Sequence, residues 1–429
     1  MAEPAPRLLR VVGLAGLTAI ALNGVVGSGI FGLPARVYAL TGAASPIAYV
    51  LAALVMALVV ACFAEAGSRS DETGGPYLYA RAAFGDFAGF LVGWMFFLTR
   101  LAATGAIANL FVESLGYFVP ALGSGAGRVA AITVAVGGLA TLNVLGVRSA
   151  SLTVNVLTVA KLVPLVIFVG VGLWFVDPGR IALAVPEVGS LRQAALLLVF
   201  AYGGFENASV PAEEALNPRR HLPFALLVTI AAVAVLYVLI QVVAQGTLPE
   251  LASSKTPLAS AARNMLGAPG GSMLAVAAIL STLGSISAVI LVGPRILFAF
   301  ARHGQLPALL ASVHPRYRSP HHAVIVFALL TWAIALTGGF GQLAALSAVA
   351  RLMFSAATCL AVPVLRRQQR DAPAGFVLAG GPAIPLAAAG LCAWLLLGVT
   401  TEQAIAGGLG LAAGLVLYAG GRWLWGARR

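Results

Sequence analysis

The sequence predicts an all-α integral membrane protein of about twelve transmembrane helices. Of 429 residues, 60% are hydrophobic and only 9% are charged, and the mean hydropathy is +0.97. Soluble domains carry about 25% charged residues. The apolar residues fall in long runs, and about 20 of them make one span. Most of the charges fall between the runs. The net charge of +12 therefore reads as a topology signal in short loops, and nucleic-acid binding is not expected.

Hydropathy places the spans at 11–40, 43–67, 84–118, 127–145, 151–176, 190–210, 222–245, 270–300, 322–339, 342–364, 378–399 and 403–425. The whole chain, 1–429, reads as a single membrane domain. The first apolar segment runs past the length of a signal-peptide core and is expected to stay as the first span. With a cytoplasmic N-terminus, the inner loops hold roughly 17 Lys and Arg against 6 outside, so both termini are expected inside the cytoplasmic membrane. Cys62, Cys359 and Cys392 lie within apolar runs, show no pairing or metal spacing, and read as small core residues.

The first span holds ALNGVVGSGIFGLPA at 21–35, with glycines at 24, 27, 29 and 32 and Pro34 after them. Glycine costs roughly 1 kcal/mol against alanine inside a helix. A backbone that breaks at membrane depth must line a cavity. The helix is expected to unwind at Gly27, Ser28 and Gly29 and to restart near Ile30. Its free N–H groups would then favour an anion. Close helix packing by small residues is the alternative. The sixth span repeats the device with Tyr202-Gly203-Gly204-Phe205, leaving the carbonyls of Phe200, Ala201 and Gly203 open to an ammonium. Interrupted helices five spans apart point to an inverted repeat, 11–176 and 190–364, with the spans at 378–425 outside it. Gly203, Gly204 and Ala201 are expected to leave room for a ligand.

Three charged features stand inside spans. Lys161 is about ten residues into the fifth span, too deep to reach an interface, so it must pair with carbonyls or lose its proton. Glu206 follows the sixth-span break, where it is either a functional buried carboxylate or a solvated group near the inner mouth. Arg100 and Arg351 could pair with Glu113 or Glu65, face a wet cavity, or snorkel. Among the inner loops, 71–77 reads as a tight turn with gate charges Arg69 and Arg81, and 213–220 as a turn marked by Asn217-Pro218. There is no G-x-S-x-G, no G-x-x-x-x-G-K-[ST] and no H-E-x-x-H, so neither catalysis nor a cofactor is expected. The driving force is then an ion or substrate gradient.

Five segments carry a family resemblance: GVVGSGIFGLP at 24–34, ETGGPYLYARAAFGDFAGFLVGW at 72–94, NVLTVAKLVPL at 155–165, FAYGGFENASVPAEEALNPRRHLPFAL at 200–226 and PRILFAFARHGQLP at 294–307. In this order the chain resembles an amino acid–polyamine–organocation (APC) superfamily permease of the leucine-transporter fold. The resemblance implies that the amides of Gly27, Ser28 and Gly29 bind a substrate carboxylate and that the carbonyl of Val25 faces its amine. It implies that Phe200 gates the substrate and that Glu206 serves gating or proton handling. Lys161 would occupy the place of a sodium ion, held by first-span carbonyls near Gly24 and by Ser281 and Ser285, which share one helix face. Lys161 then either carries a coupling proton or is a fixed cation. The implied function is secondary active amino acid transport by alternating access, proton-coupled and sodium-independent. Neutral substrates are favoured, since no acidic cluster suits a polyamine. An ion-independent exchanger and a non-transporting sensor are the alternatives. The expected partners are the amino acid, the proton and membrane lipid, with a monomer or homodimer both open.

Overall fold

Helices in this protein are broken where glycines crowd, and the breaks organise everything around them. The computed structural model describes residues 13–69, 75–145, 150–181, 187–209, 216–317, 319–369 and 374–424. The first apolar run is two helices, α1 (Leu14–Val25) and α2 (Gly29–Thr41). Val26 caps α1 by donating its N–H to Leu22 O, and the chain turns through Val26–Ser28 before α2 starts. Helix α3 (Ser45–Ser68) returns across the bundle with Pro46 in its first turn, where a missing N–H has no cost.

A short helix, α4 (Pro76–Phe84), follows where the sequence suggested only a turn. Gly75, at φ +56, supplies the turn, and Pro76 then opens the helix. Asp71, Glu72 and Gly74 lie outside the described residues, as do Glu213 and Glu214. Helices α5 (Asp86–Leu115), α6 (Gly125–Val144) and α7 (Ala150–Gly172) complete the first half. Helix α8 (Val188–Ala201) stops at the second glycine cluster, turns through Tyr202–Gly204 and gives a 3-10 turn at Phe205–Ser209. Asn217 and Pro218 then open α9 (Pro218–Thr247), so the expected Asn-Pro turn is the entry to a helix.

The next element, α10 (Pro257–Arg302), bends at Gly267, where φ is +69, so a short helix precedes the span expected at 270–300. Helices α11 (His321–Thr337), α12 (Phe340–Gln368), α13 (Ala383–Leu396) and α14 (Thr401–Leu424) finish the chain. Among the described residues, eight helical stretches are long and apolar enough to cross a membrane, and four shorter apolar helices accompany them. Helix α5 is the spine, almost wholly buried and packed along α12 and α10, while α3 packs along α9. Helix α14 docks at the edge through small residues. A Cβ on Gly414 would strike the Trp94 ring, and the Trp94 indole N–H reaches Gly410 O at 2.8 Å. Cys62, Cys359 and Cys392 are free and buried.

The two breaks touch. A Cβ at Gly24 would lie 2.5 Å from the carbonyl oxygen of Gly204, and one at Gly29 would lie 2.7 Å from Ala201 Cα. Gly204 holds φ +109, which L side chains rarely adopt. Gly24→Ala should therefore force backbone apart and cost about 1–3 kcal/mol by overpacking. Gly138→Ala, with open space around it, should be neutral or gain up to about 1 kcal/mol. Thermal unfolding of the two purified variants in detergent checks the contrast.

Candidate functional site

The site is built from backbone that helix breaking sets free. The α1 break leaves carbonyls at the end of one half-helix and N–H groups at the start of the next. Ser28 is buried and stands at the N-cap of α2 without a side-chain cap bond, so Gly29 and Ile30 are its first N–H groups. The Cβ side of Gly29 meets Ala201, at the C-terminal end of α8. The hollow expected between the breaks is closed at this contact.

The freed carbonyls have partners within the chain. Val25 O accepts from Gly27 N–H at 2.7 Å and from the Tyr237 hydroxyl at 2.9 Å. The same hydroxyl reaches Ala201 O at 3.4 Å, so one fully buried α9 side chain bridges both breaks. The Phe200 carbonyl accepts from Gly203 N–H at 3.3 Å. The Val25 carbonyl assigned to a substrate amine is thus held by a phenol in this conformation. Tyr237 escaped the sequence reading, because it sits singly in an apolar run. Its one signal was that a tyrosine at mid-span needs a hydrogen-bond partner.

Lys161 reaches α1. Its ammonium donates to Asn23 O at 2.8 Å, and the residue is 3% exposed. The carbonyl is one residue from the Gly24 neighbourhood that was expected. The serines differ from expectation. Among the described residues Lys161 makes no hydrogen bond to either. Ser285 turns its hydroxyl to the α1 break, 3.5 Å from where a Cβ on Gly27 would stand, and buried Ser281 Oγ has no partner.

Glu206 is 1% exposed, so the solvated alternative is ruled out. Its carboxylate accepts from Gly204 N–H at 2.9 Å, is in direct contact with Arg351 Nη1, and lies 3.2 Å from Arg100 Nη2. Arg100 and Arg351 therefore pair with Glu206 at the α8 break, and not with Glu113 or Glu65. The reason is geometric: α5 and α12 pack against each other, and α12 also packs on α8. The room expected over Gly203 and Gly204 is filled. A Cβ on Gly203 would collide with the Arg351 guanidinium, and one on Gly204 with the Gly24 carbonyl. Arg100 also stacks 4.5 Å above the Phe96 ring.

The carboxylates named in the sequence work elsewhere. At the far end of α2, Arg36 pairs with Glu113 at 3.2 Å, donates to Gly32 O at 2.7 Å and lies 4.5 Å over the Phe340 ring. Phe340 meets Phe200 edge-on with centroids 5.8 Å apart, so Phe200 belongs to an aromatic layer beneath that ion pair. At the other end of α3, Glu65 receives Arg69 at 2.9 Å, Arg366 at 2.6 Å and the Leu378 N–H at 2.9 Å. Arg81 bonds Asp86 at 2.6 Å on the surface.

These features define a helical membrane protein with paired discontinuous helices and charged layers at both ends. The sequence profile of the amino acid permease family matches residues 12–409. The chain belongs to that family, within the APC superfamily, and is an integral membrane protein. It is 28% identical to the methylthioribose transporter of Bacillus subtilis, over 96% of this chain and 93% of that protein. It is 28% identical to the branched-chain amino acid permease BcaP of the same organism, over 96% and 92%. It is 26% identical to the serine/threonine exchanger SteT, again of Bacillus subtilis, over 95% of each chain.

Removing one partner of a buried ion pair costs about 3–5 kcal/mol, because an uncompensated charge remains. Glu206→Gln leaves two buried guanidiniums facing each other and should lower the melting temperature sharply. Arg351→Gln keeps a one-to-one pair and should be tolerated far better. Comparing the melting temperatures of these two variants in detergent tests the ordering.

Proposed function

We propose that this permease is a secondary active transporter that carries amino acids across the cytoplasmic membrane by alternating access. The coupling is to protons and not to sodium, and neutral side chains are preferred. The observation that carries this reading is the Lys161 ammonium on the Asn23 carbonyl, beside the broken α1. A fixed amine there supplies the positive charge that a sodium ion would otherwise bring to that half-helix end. Substrate recognition falls to the two breaks. The amides at Gly27, Ser28 and Gly29 suit a carboxylate, and the half-helix ends at Val25, Phe200, Ala201 and Gly203 suit an ammonium.

On this reading Tyr237 holds the empty breaks together, and a substrate separates Gly29 from Ala201 as it enters. The Arg36–Glu113 layer with Phe200 and Phe340 closes one face, and the Glu65–Arg69–Arg366 layer closes the other. The excess of Lys and Arg in alternate loops supports cytoplasmic termini, with the Glu65 layer on the cytoplasmic side. The five-plus-five repeat, 11–176 and 190–364, is supported by breaks in the first and sixth apolar runs. An exchange mode without a proton is the second reading, favoured by similarity to a serine/threonine exchanger.

Uptake into liposomes separates the two modes. Wild-type uptake should rise with an inward proton gradient, and Lys161→Ala should take up substrate equally with and without the gradient. Persisting gradient-driven uptake in Lys161→Ala would remove the coupling role. A thermal-shift screen of the amino acids, with methylthioribose alongside, identifies the ligand. A ligand present at 100 times its dissociation constant stabilises the native state by about 2.7 kcal/mol.

A further inference from the structure

Among the described residues, the ion cluster on the α8 break holds more positive than negative charge. Two guanidiniums share one carboxylate among the described residues, and each of the three residues is at most 3% exposed. Their hydrogen bonds are not used up either. Among the described residues, Arg100 Nε and Nη2 and Arg351 Nε are buried without a hydrogen-bond partner, although Arg100 Nη2 lies in ion-pair range of Glu206. Arginine offers five N–H donors and no acceptor. Buried donors without partners are costly, and native structures rarely keep them without a reason.

Position turns this surplus into a site. The Arg351 guanidinium lies flat against the Gly203 backbone, and Gly204 N–H bonds Glu206. The cluster therefore sits beside the α8 break, one of the two breaks that the proposed function gives to the substrate. Arg100 reaches it from α5 and Arg351 from α12, both outside the two broken helices. On the proposed reading, a ligand held between the breaks would meet α5 and α12 through these two side chains.

We propose that Arg100 and Arg351 form the side-chain subsite of the substrate pocket, selecting side chains that end in an acceptor oxygen, amide or carboxylate, and excluding ammonium. Glu206 sets the guanidinium planes and leaves one net positive charge for the ligand. This inference rests on the transporter reading. It narrows the expected neutral substrates to polar ones and extends them to carboxylates. The two arginines are specificity-determining, since an acceptor oxygen completes their donors while an aliphatic end leaves them bare.

Four amino acids test it: glutamine, glutamate and norleucine, which match in length, and lysine, one atom longer. Purified full-length protein in liposomes loaded with unlabelled glutamine is given labelled glutamine, and the other three are titrated as competitors. Glutamate should compete at least about tenfold more tightly than norleucine, because a site built for a polar group rejects the analogue lacking it. Lysine should be the weakest. In Arg351→Gln and in Arg100→Gln, each retaining one guanidinium for Glu206, the advantage of glutamine and glutamate over norleucine should shrink by about tenfold. Gel filtration and melting confirm that these variants are folded. Norleucine or lysine competing as well as glutamate in wild type overturns the subsite, as does an unchanged ratio in both folded variants. If wild type exchanges leucine but neither glutamine nor glutamate, the subsite falls and the transporter reading stands. If it exchanges no amino acid, both fall.

Discussion

Backbone meets backbone where the two broken helices cross, and the rest of the molecule follows from that contact. Gly24 against Gly204 and Gly29 against Ala201 admit no larger side chain. A broken helix inside an apolar bundle exposes peptide groups that have no water to bond. Each exposed group must then find a partner from a neighbouring helix, which draws polar side chains to mid-bundle. Tyr237 from α9, Lys161 from α7 and Glu206 just beyond the second break all end on this backbone. The glycines are therefore the cause of the polar centre, and the polar centre is what fixes the neighbouring helices in register.

Charge is arranged in three layers along the bundle, and each layer has more arginine than carboxylate or an equal share. Arg36 and Glu113 stand at one end, Glu206 with Arg100 and Arg351 at the middle, and Glu65 with Arg69 and Arg366 at the other. The Arg36–Glu113 layer is partly exposed, where an ion pair is screened and can open at modest cost, whereas the Glu65 carboxylate is buried among three donors. The middle layer is dry, where separating the charges costs far more. In the proposed cycle the partly exposed Arg36–Glu113 end would part while the centre holds.

Much of this was legible in the sequence, for a physical reason. Hydropathy and glycine clustering are local, so the all-helical membrane class followed from the apolar runs, and the α1 and α8 breaks could be read directly from residues 21–35 and 200–206. Lys161 was legible too, since an ammonium ten residues into an apolar run has few explanations. Pairing was not legible. Arg351 and Glu206 are 145 residues apart, and nothing local indicates which of several carboxylates a buried arginine meets. Tyr237 was invisible among apolar neighbours, and the Gly203 space was misjudged because a glycine read alone cannot show which side chain fills the gap. The short α4 was hidden by the Gly-Pro signal, which marks a helix start as readily as a turn.

On the proposed reading, the link between proton and substrate would run through the place where Lys161 ends. Asn23 lies in the last turn of α1, where the half-helix dipole presents its negative end. A protonated amine there gains from the hydrogen bond and from the dipole together. A neutral amine keeps an N–H for Asn23 O and loses the attraction to the dipole. The tie between α7 and the end of α1 therefore depends on protonation, and the Val26–Ser28 segment that follows carries the dependence to Gly29 and its contact with Ala201. A ligand or proton shifts an equilibrium only by its differential affinity for the two states. In the proposed cycle that difference arises at one hydrogen bond, four to six residues from the amides that would receive the substrate carboxylate.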